Sequence, residues 1–573
     1  MKSLIHVTLL ITLGFSAFSQ SYKQPPHLER RGNAVQLVVR DKPFLVLGGE
    51  LHNSTVSGAA NMRPVWAQLK KKHLNTVLAP VYWELMEPEE GRFNFALVDS
   101  MIAGARKQNL HLALLWFGAF KTTYSTYVPS WVKTNPAKYP RVKTDKGESL
   151  PLLSVFSENN LRANANAFRV LMQHIRQVDA RQQTVIMVQV ENEVGLFNMA
   201  RDHSNEANTA YSQGVPADMT RYLAANKGKL QPELDSIWQA NGAKTSGSWE
   251  AVFGPNVLDE KNPRVLSNLA DELFTAYHYT NYVGRLAAAG KEAYPLPMFV
   301  NAWPKMPGFT GVPGKYPSGG PVPHLLDVWR ANAPSIDFIT PNVYAPKPGV
   351  YALAEQYHRS GNPLFIPEIR SGLEPANLAL WLYGQHDAMG VAPFGIDGNP
   401  NEEDPFTHTF AVLEQMQEMV LAHQGKGTMA GVFVDSTAKT QTFTLNNYAV
   451  KANLVTPRRF PGGPPPPKGP PLAGGLIIAT GPDEFLAVGK DYELTFTPLT
   501  PDPQKPHLDV DYMDEGTFEK GKWITTRRLN GDEGTGGGSI GSFAVKDLRT
   551  GALRFQNDGS GSFRIVKIRF YRY

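Results

Sequence analysis

The 573-residue sequence contains no cysteine. This absence excludes disulfide bonds, thiolate metal ligands and lipid attachment through an N-terminal cysteine. The 14 histidines do not fall into the spacings that are typical of metal sites. The sequence therefore predicts neither a metal nor any other cofactor.

The sequence also lacks long apolar runs and long runs of basic residues. Apart from a short apolar run at its start, no stretch approaches the ~20 residues of a membrane-spanning helix. The 57 basic and 52 acidic residues give a formal net charge of +5 without a long basic run, which is too little and too diffuse for a nucleic-acid surface. We expect neither a membrane partner nor a nucleic-acid partner, and the composition makes no prediction of the oligomeric state.

The apolar run at the start has the form of a signal peptide. Met1 and Lys2 form a charged start, residues 4–15 are mostly apolar, and small residues at Ala17 and Ser19 suit cleavage after Ser19. The run is too short to span a bilayer. We expect residues 1–19 to be removed from an exported protein, with the periplasm as its location and secretion beyond the cell as the alternative.

Strand and helix patterns alternate over about 360 residues, which favours a closed (β/α)8 TIM barrel, an α/β fold of parallel strands covered by helices. The alternative is an open doubly wound sheet, but the segment Gly48-Gly49-Glu50-Leu51-His52 lacks the spacing of a dinucleotide fingerprint. The eight predicted strands are Phe44–Gly49, Thr76–Trp83, Leu112–Phe117, Val185–Glu193, Pro297–Trp303, Phe338–Tyr344, Leu364–Glu368 and Val391–Asp397.

Two regions depart from this alternation. About a hundred residues separate the fourth and fifth predicted strands, which predicts a helical excursion over or beside the mouth of the barrel. After residue 425 the pattern changes to short alternating strands, which predicts a β-sandwich that either stabilises the barrel or binds sugar. A proline and glycine tract, Pro457–Gly475, predicts an extended surface loop that cannot join a central strand. We expect a barrel domain at 20–425 and a sandwich domain at 426–573.

Two of the predicted strands end in glutamates. The fourth ends with Glu191-Asn192-Glu193 and the seventh with Pro367-Glu368. The carboxyl ends of barrel strands form one mouth, where active sites lie. A retaining glycoside hydrolase needs one carboxylic acid to protonate the leaving oxygen and one carboxylate to attack the anomeric carbon, roughly 5 Å apart. The pair predicts hydrolysis of an oligosaccharide or other glycoside, and the period of the strand leaves the choice between Glu191 and Glu193 open.

The same mouth supplies candidate substrate-binding residues. Asn192 is placed to hold a sugar hydroxyl, and the indoles of Trp116 and Trp303 are candidate platforms for a pyranose ring. Tyr344 is placed to hydrogen-bond Glu368 and keep it ionised. We expect burial and the neighbouring charge to raise the pKa of the acid while the nucleophile stays deprotonated.

Three segments in the first half of the predicted barrel carry a family resemblance: Val188–Gly195, Trp83–Phe95 and Pro129–Trp131. They resemble the corresponding segments of glycoside hydrolase family 35, the β-galactosidases, and the second domain looks like the C-terminal β-domain of a bacterial branch of that family. The resemblance implies that Glu193 is the acid/base, Asn192 a contact to the sugar and Glu368 the nucleophile.

The resemblance is incomplete at residues near the sugar. Glu84 stands where common members have Asn, Asn53 stands where they have Tyr, and residues 120–123 replace their Ala-Glu-Trp. We expect an exo-acting, retaining β-galactosidase that removes terminal galactose, for example from plant cell-wall oligosaccharides such as xyloglucan side chains. The alternatives are another retaining enzyme of the same clan, such as an endo-glucanase, mannanase or arabinosidase, and a carbohydrate-binding barrel without activity.

Overall fold

The computed structural model describes residues 22–255, 269–306, 308, 311–359, 361–398, 404–455, 470–529, 551–554 (backbone alone) and 563–573. The predicted signal peptide and residues 456–469 of the proline and glycine tract lie outside the described residues.

The first part of the chain contains a small antiparallel sheet, a closed barrel and a two-stranded ribbon. The strands are β1 (His27–Arg31), β2 (Ala34–Val39), β3 (Lys42–Phe44), β4 (Val46–Glu50), β5 (Thr76–Tyr82), β6 (His111–Lys121), β7 (Arg141–Lys143), β8 (Ser149–Leu153), β9 (Val185–Asn192), β10 (Met298–Ala302), β11 (Phe338–Val343), β12 (Phe365–Ile369) and β13 (Gly390–Pro393).

The barrel consists of eight parallel strands in the order β4, β5, β6, β9, β10, β11, β12 and β13, which pairs back with β4. Each of the eight predicted strands contributes one of these strands, so the predicted closed barrel is confirmed and the open sheet is wrong. Strands buried on both faces read as continuous apolar runs, as in β5, all of whose residues are buried. The eighth strand ends at Pro393, earlier than predicted, because residues 396–398 form a 3-10 turn at the mouth.

The helices cover the outside of the barrel. They are α1 (Ala59–Met62), α2 (Val65–Lys71), α3 (Trp83–Met86), α4 (Ala96–Lys107), α5 (Ser130–Lys133), α6 (Glu158–Asp179), α7 (Asn205–Ser212), α8 (Ala217–Ala225), α9 (Pro232–Ala240), α10 (Trp249–Phe253), α11 (Leu269–Ala293), α12 (Leu326–Asn332), α13 (Lys347–Tyr357), α14 (Leu373–Gln385) and α15 (Pro405–His423). The predicted excursion between the fourth and fifth barrel strands is helical, since α7 to α10 lie within it. Its Trp249 is fully buried and packs edge-on against Phe274 of α11.

The sheet β1 to β3 closes the amino-terminal end of the barrel. The Gln36 amide donates to the Leu421 carbonyl at 2.7 Å, and Phe44 packs against His111 at the start of β6 with ring centroids 5.0 Å apart. This end is therefore sealed, and the opposite, carboxyl end of the strands is the end that carries the polar side chains.

The C-terminal region is a two-sheet sandwich, as predicted. One sheet has the order β14-β17-β18-β23-β20-β21 and the other β15-β16-β19-β22. Rings from the two sheets meet in its core, where the Phe496 centroid lies 4.8 Å from that of Phe485 and 5.0 Å from that of Phe570. The strands are β14 (Met429–Asp435), β15 (Thr440–Leu445), β16 (Tyr448–Leu454), β17 (Leu472–Ala479), β18 (Glu484–Gly489), β19 (Tyr492–Pro498), β20 (Leu508–Glu519), β21 (Lys522–Arg528), β22 (Gly551–Arg554) and β23 (Arg564–Arg572).

The end of the proline and glycine tract corrects one prediction. Residues 472–475 belong to β17, which pairs with both β14 and β18 and is therefore a central strand. The two glycines of this segment are needed for close approach. A Cβ at Gly474 would lie 2.7 Å from the Asn377 carbonyl oxygen of α14, and a Cβ at Gly475 would lie 2.3 Å from the Tyr492 hydroxyl. These two glycines therefore allow a strand to pack closely against its neighbours and do not form a loop.

Helix α14 joins the barrel to the sandwich. A Cβ at Gly431 of β14 would lie 2.5 Å from the Trp381 carbonyl oxygen, so the helix and strand backbones are in close contact. The Lys347 ammonium lies 2.5 Å from the Asp435 carboxylate beside this contact. Since α14 packs on the sandwich as well as on the barrel, nearly all of its residues are buried, which explains its apolar character on every face.

Candidate active site

Glu193 and Glu368 meet at the carboxyl mouth of the barrel. Glu368 lies on β12, paired with Asn342 of β11, and Glu193 follows the last residue of β9. Both side chains are buried, with 7% of each residue exposed.

One side-chain amide bridges the two carboxylates. Asn342 Nδ2 donates to Glu193 Oε1 at 2.7 Å and to Glu368 Oε2 at 2.9 Å. Because both oxygens bond to the same nitrogen, they are no more than about 5.6 Å apart. Asn342 was not among the residues predicted for the site; its position near the end of the sixth barrel strand, in register with Glu368, is the signal that could have found it.

Further side chains fix each carboxylate. The Tyr344 hydroxyl donates to Glu368 Oε1, as the sequence predicted. The Glu193 backbone N–H donates to Asn301 Oδ1 at 2.9 Å, and the Thr122 hydroxyl donates to Glu193 Oε2 at 2.9 Å. Neither carboxylate can rotate without breaking bonds, so the site is held in one arrangement before substrate binds.

Several residues of the site have left-handed backbone conformations. Thr122 and Thr123 have φ values of 48° and 64°, and Glu191 and Glu193 have values of 61° and 46°. Such values are costly for residues with a Cβ, above all for β-branched threonine. The hydrogen bonds around Glu193 offset the cost of this strained backbone. They thereby fix the direction in which the Glu193 side chain points.

The same backbone geometry decides between Glu191 and Glu193. On an ideal strand the two would point to the same side, but the left-handed residue at Glu191 breaks the period. The Glu191 carboxylate turns away from Glu368 and accepts from the backbone N–H groups of Ala119 and Phe120 and from Asn164. Glu191 therefore supports the end of β6, and Glu193 is the residue that faces Glu368.

A third carboxyl group lies in the same cluster. Glu50 ends β4 and is 1% exposed, and it interacts electrostatically with Glu368, Lys121 and Glu193. Burial first, and then the charge of Glu368, raise its pKa well above the ordinary value, while the Lys121 ammonium opposes this shift. In the sequence this glutamate stands in the segment that lacks the spacing of a dinucleotide fingerprint, and its position at the end of a strand was the available signal.

The predicted split of pKa values is wrong for Glu368. Burial and the negative charge of Glu193 raise the pKa of the Glu368 carboxyl to about 7, although the Tyr344 hydroxyl and the Lys121 ammonium favour its ionised form. A nucleophile must be ionised to attack, so activity should rise with pH up to the neutral range.

Replacing Tyr344 by Phe is expected to shift the acidic limb of the pH–activity profile, the range in which activity rises with pH. The substitution removes a donor that stabilises the ionised carboxylate, so the pKa of Glu368 rises and the limb of the kcat/KM profile moves to higher pH, by roughly one unit. The measurement is a pH profile of both proteins, with Tyr571→Phe in the sandwich as the matched control. A limb that stays in place or moves to lower pH would contradict the assignment.

Replacing Glu50 by Gln is expected to stabilise the protein at alkaline pH. A carboxyl whose pKa is raised on folding contributes its stability at low pH, and this is lost as pH rises from the unfolded value of 4.5 through the folded value. Glutamine does not ionise, so the variant should melt about 2 °C higher than the wild type at pH 8. The difference should narrow towards pH 5; a variant less stable at pH 8 would show that Glu50 is held by favourable contacts instead.

The predicted sugar contact Asn192 is 1% exposed. Neither its Oδ1 nor its Nδ2 has a hydrogen-bond partner within the part of the chain that the structure describes. Buried amides without partners are rare because each unmade bond is costly. A sugar hydroxyl is the kind of group that would satisfy both atoms.

The two predicted tryptophans lie in different environments. Trp303 is 46% exposed at the mouth, in a T-shaped contact with Phe197 at 5.1 Å between ring centroids, so it stays a candidate platform for a sugar. Trp116 is fully buried, and its indole N–H donates to Asn164 at 3.0 Å. The stacking role predicted for Trp116 is therefore corrected: the residue supports Asn164, which in turn holds Glu191.

The described residues contain neither a metal-binding cluster of three or more side chains nor a helix that could span a membrane. No group of three or more His, Asp or Glu side chains among them is arranged to hold a metal ion. In the same residues no helix has both the length and the apolar character needed to cross a membrane.

Two buried glutamates of this spacing at the carboxyl ends of the fourth and seventh strands of a closed barrel define the site of a glycoside hydrolase class. Residues 60–312 match the glycoside hydrolase family 42 model (Glyco_hydro_42), described as "Beta-galactosidase", and residues 406–541 match a domain of unknown function, DUF5597. Residues 60–312 of the barrel are therefore similar to the family 42 β-galactosidases. The resemblance to family 35 is not confirmed, and family 42 fits better.

Parts of this chain are similar in sequence or in structure to known proteins. Human "Beta-galactosidase-1-like protein 3" (Homo sapiens) is 30% identical over 205 residues, which cover 32% of this chain and 28% of the human protein. The solved β-galactosidase of Bacillus circulans sp. alkalophilus is 15% identical, with a TM-score of 0.43, over 66% of this chain and 57% of its own. That of the haloarchaeon Halorubrum lacusprofundi is 16% identical, with a TM-score of 0.43, over 65% and 58%. The chain therefore spans under two thirds of each relative, and these likenesses are too distant to transfer an activity.

Proposed function

We propose that the protein is a retaining, exo-acting β-galactosidase that hydrolyses terminal non-reducing β-D-galactosyl residues. The observation that carries the proposal is the Asn342 amide, which bonds to Glu193 and Glu368 at once. The resulting limit of about 5.6 Å between their nearest oxygens agrees with the spacing of retaining enzymes and is shorter than that of inverting enzymes. The family match of the barrel supports galactose as the sugar.

The proposed reaction is a double displacement. A Glu368 oxygen attacks the anomeric carbon while the Glu193 carboxylic acid gives its proton to the leaving oxygen, and the bond between that oxygen and the carbon breaks. The ionised Glu193 then removes a proton from water, whose oxygen attacks the same carbon and releases Glu368 from the ester. Galactose leaves with its original β configuration.

The similarity of residues 60–312 to the β-galactosidase family model supports attack at a chain end, because a β-galactosidase removes a terminal galactosyl residue. We propose oligosaccharides of plant cell walls, such as the galactosylated side chains of xyloglucan, as the natural substrates.

Hydrolysis of a panel of aryl β-glycosides tests the proposal. We expect cleavage of the galactoside, with β-galactose as the first product in NMR spectra. Cleavage of a glucoside, mannoside or arabinoside alone would replace galactose by that sugar, and an α-configured first product would overturn the retaining mechanism. Binding of galactosides without turnover would favour a carbohydrate-binding barrel.

We also propose export of the protein to the periplasm or the medium. The charged and apolar start of the sequence supports this location. Sequencing the amino terminus of the protein purified from its native cells should give a chain that begins at Gln20. An intact amino terminus would contradict it.

A further inference from the structure

Two histidines meet at the end of the barrel opposite the candidate active site. His358 follows α13 and His386 follows α14, each as the residue that caps the carboxyl end of its helix. A helix that follows a barrel strand runs back towards the amino-terminal end of the strands, so both histidines lie at the end opposite the mouth. They stand 28 positions apart in the chain, and the packing of the two neighbouring helices brings them together.

The two imidazole rings face each other through the same ring atom. Nδ1 of His358 lies 3.3 Å from Nδ1 of His386, whereas the ring centroids are 5.5 Å apart, so both nitrogens lie between the rings. This separation exceeds the roughly 2.7–3.2 Å of an ordinary hydrogen bond from an N–H group. A tetrahedral zinc ion with Zn–N bonds of about 2.0–2.1 Å holds two of its nitrogens about 3.3 Å apart. A small rotation of each ring lets both lone pairs converge on one such ion.

Both rings have the protonation state that a metal ion requires. Burial, and then the charge of His358, lower the pKa of His386 to about 4, and burial also lowers the pKa of His358. The two imidazoles are therefore neutral at neutral pH, and a neutral imidazole is the form that binds a metal. Each ring keeps one proton, which moves to Nε2 when Nδ1 binds the ion, so binding releases no proton. Both residues are partly exposed, so an ion and its water ligands can reach them.

The electrostatic surroundings of the pair favour a cation. The carbonyl groups at the carboxyl end of a helix carry a partial negative charge, and the carboxyl ends of α13 and α14 both lie at the pair. Arg359 is the next residue after His358, but its guanidinium lies 3.3 Å from the Asp327 carboxylate, which offsets its positive charge. Two helix ends therefore add to the attraction that the imidazoles exert on a metal ion.

Aromatic packing holds one of the two rings in place. The His386 ring lies in a T-shaped contact with the Trp381 indole, with 4.8 Å between ring centroids. Trp381 in turn stacks on Tyr351 of α13 with its centroid at 4.1 Å. This stack fixes α13 against α14 before any ion is present. A site that exists before binding needs little ordering of the protein when the ligand enters.

We propose that His358 and His386 bind one divalent ion of the late transition series, Zn²⁺ or Cu²⁺, through their two Nδ1 atoms, with water in the remaining positions. Imidazole suits these ions, whereas Mg²⁺ and Ca²⁺ prefer oxygen ligands. The bound ion joins the ends of two barrel helices and stabilises the fold. It takes no part in the proposed reaction, and the inference does not depend on the proposed function.

Titration of the chelator-treated protein with Cu²⁺ tests the site, with calorimetry for the affinity and electron paramagnetic resonance for the ligands. We expect one saturable ion per chain, with a spectrum that shows coupling to two nitrogens. His358→Gln and His386→Gln should each lower the affinity at least about tenfold, because each removes one of two protein ligands. The matched control is His507→Gln in the sandwich, whose ring packs against Tyr573; it should leave the affinity unchanged.

Zinc should also raise the melting temperature of the wild type. At a free Zn²⁺ concentration a hundred times the dissociation constant, we expect a rise of about 2 °C, because the ion binds the folded chain and not the unfolded one. The same concentration of Mg²⁺ should give no rise. Both histidine variants should lose the response to Zn²⁺, and the His507→Gln control should keep it.

Two results would overturn the site. The first is Cu²⁺ binding that neither histidine variant weakens, and the second is a wild-type spectrum without coupling to two nitrogens. The second result is measured on the wild type, so it decides the question even if a variant does not fold. Hydrolysis of galactosides is not part of either measurement, so a failure of the proposed function leaves this test unaffected.

Discussion

Glu368→Gln abolishes nearly all turnover of aryl β-galactosides, by roughly four orders of magnitude in kcat, if Glu368 is the nucleophile. Glutamine preserves the size of the side chain and can still bond to Tyr344 and Asn342. It cannot form the ester with the anomeric carbon, so the covalent route is lost even though the substrate still binds. Steady-state kinetics and the dissociation constant of galactose, measured on both proteins, give the comparison.

The control for this experiment is Glu355→Gln, which changes an exposed glutamate of α13 in the same way. It should retain the activity of the wild type. A Glu368→Gln variant with full activity would show that the nucleophile lies elsewhere. Trapping the wild type with a 2-fluorogalactoside and finding the label on the peptide that contains Glu368 would support the assignment without a mutation.

Glu193→Ala is expected to lower turnover by about two to four orders of magnitude, the usual contribution of a general acid and base. The loss should depend on the leaving group, because dinitrophenolate departs without a proton whereas a sugar does not. With an activated galactoside the ester on Glu368 should accumulate, since no base remains to activate water. Azide, which needs no base, should restore turnover and give β-galactosyl azide.

Glu191→Ala separates this role from that of its neighbour. Glu191 holds the backbone of residues 119 and 120 and the Asn164 amide, so the variant should lose stability and some activity. Azide should not accelerate it, because its acid/base is intact. Rescue of Glu191→Ala and not of Glu193→Ala would reverse the assignment that the backbone geometry supports.

The barrel and the approximate position of the site follow from local sequence. Apolar runs such as Phe338–Val343 are buried on both faces, and this local property marks a strand whichever neighbours it finds. Since all eight strands are parallel, their last residues must meet at one end, which places Glu193, Tyr344 and Glu368 together without knowledge of contacts. The sandwich follows equally from its short alternating strands.

Tertiary structure decides what these local patterns leave open. The left-handed backbone at Glu191 and Glu193 depends on bonds to residues distant along the chain, such as that of Glu191 to Ala119 and that of Glu193 to Asn301. Trp116 is buried against α6, where its indole bonds to Asn164, and Gly474 packs against α14. Neither helix is part of the local sequence around these residues, so the local pattern could not predict the contacts.

The electrostatics of the site are the clearest case. The sequence by itself determined that carboxyl groups end the fourth and seventh strands. The pKa of about 7 for Glu368 arises because burial removes water and because the charge of Glu193 lies beside it. A third carboxyl group, that of Glu50, joins the cluster from β4, the first strand of the barrel. Desolvation and Coulomb interactions act through space, so only the closed barrel could fix them.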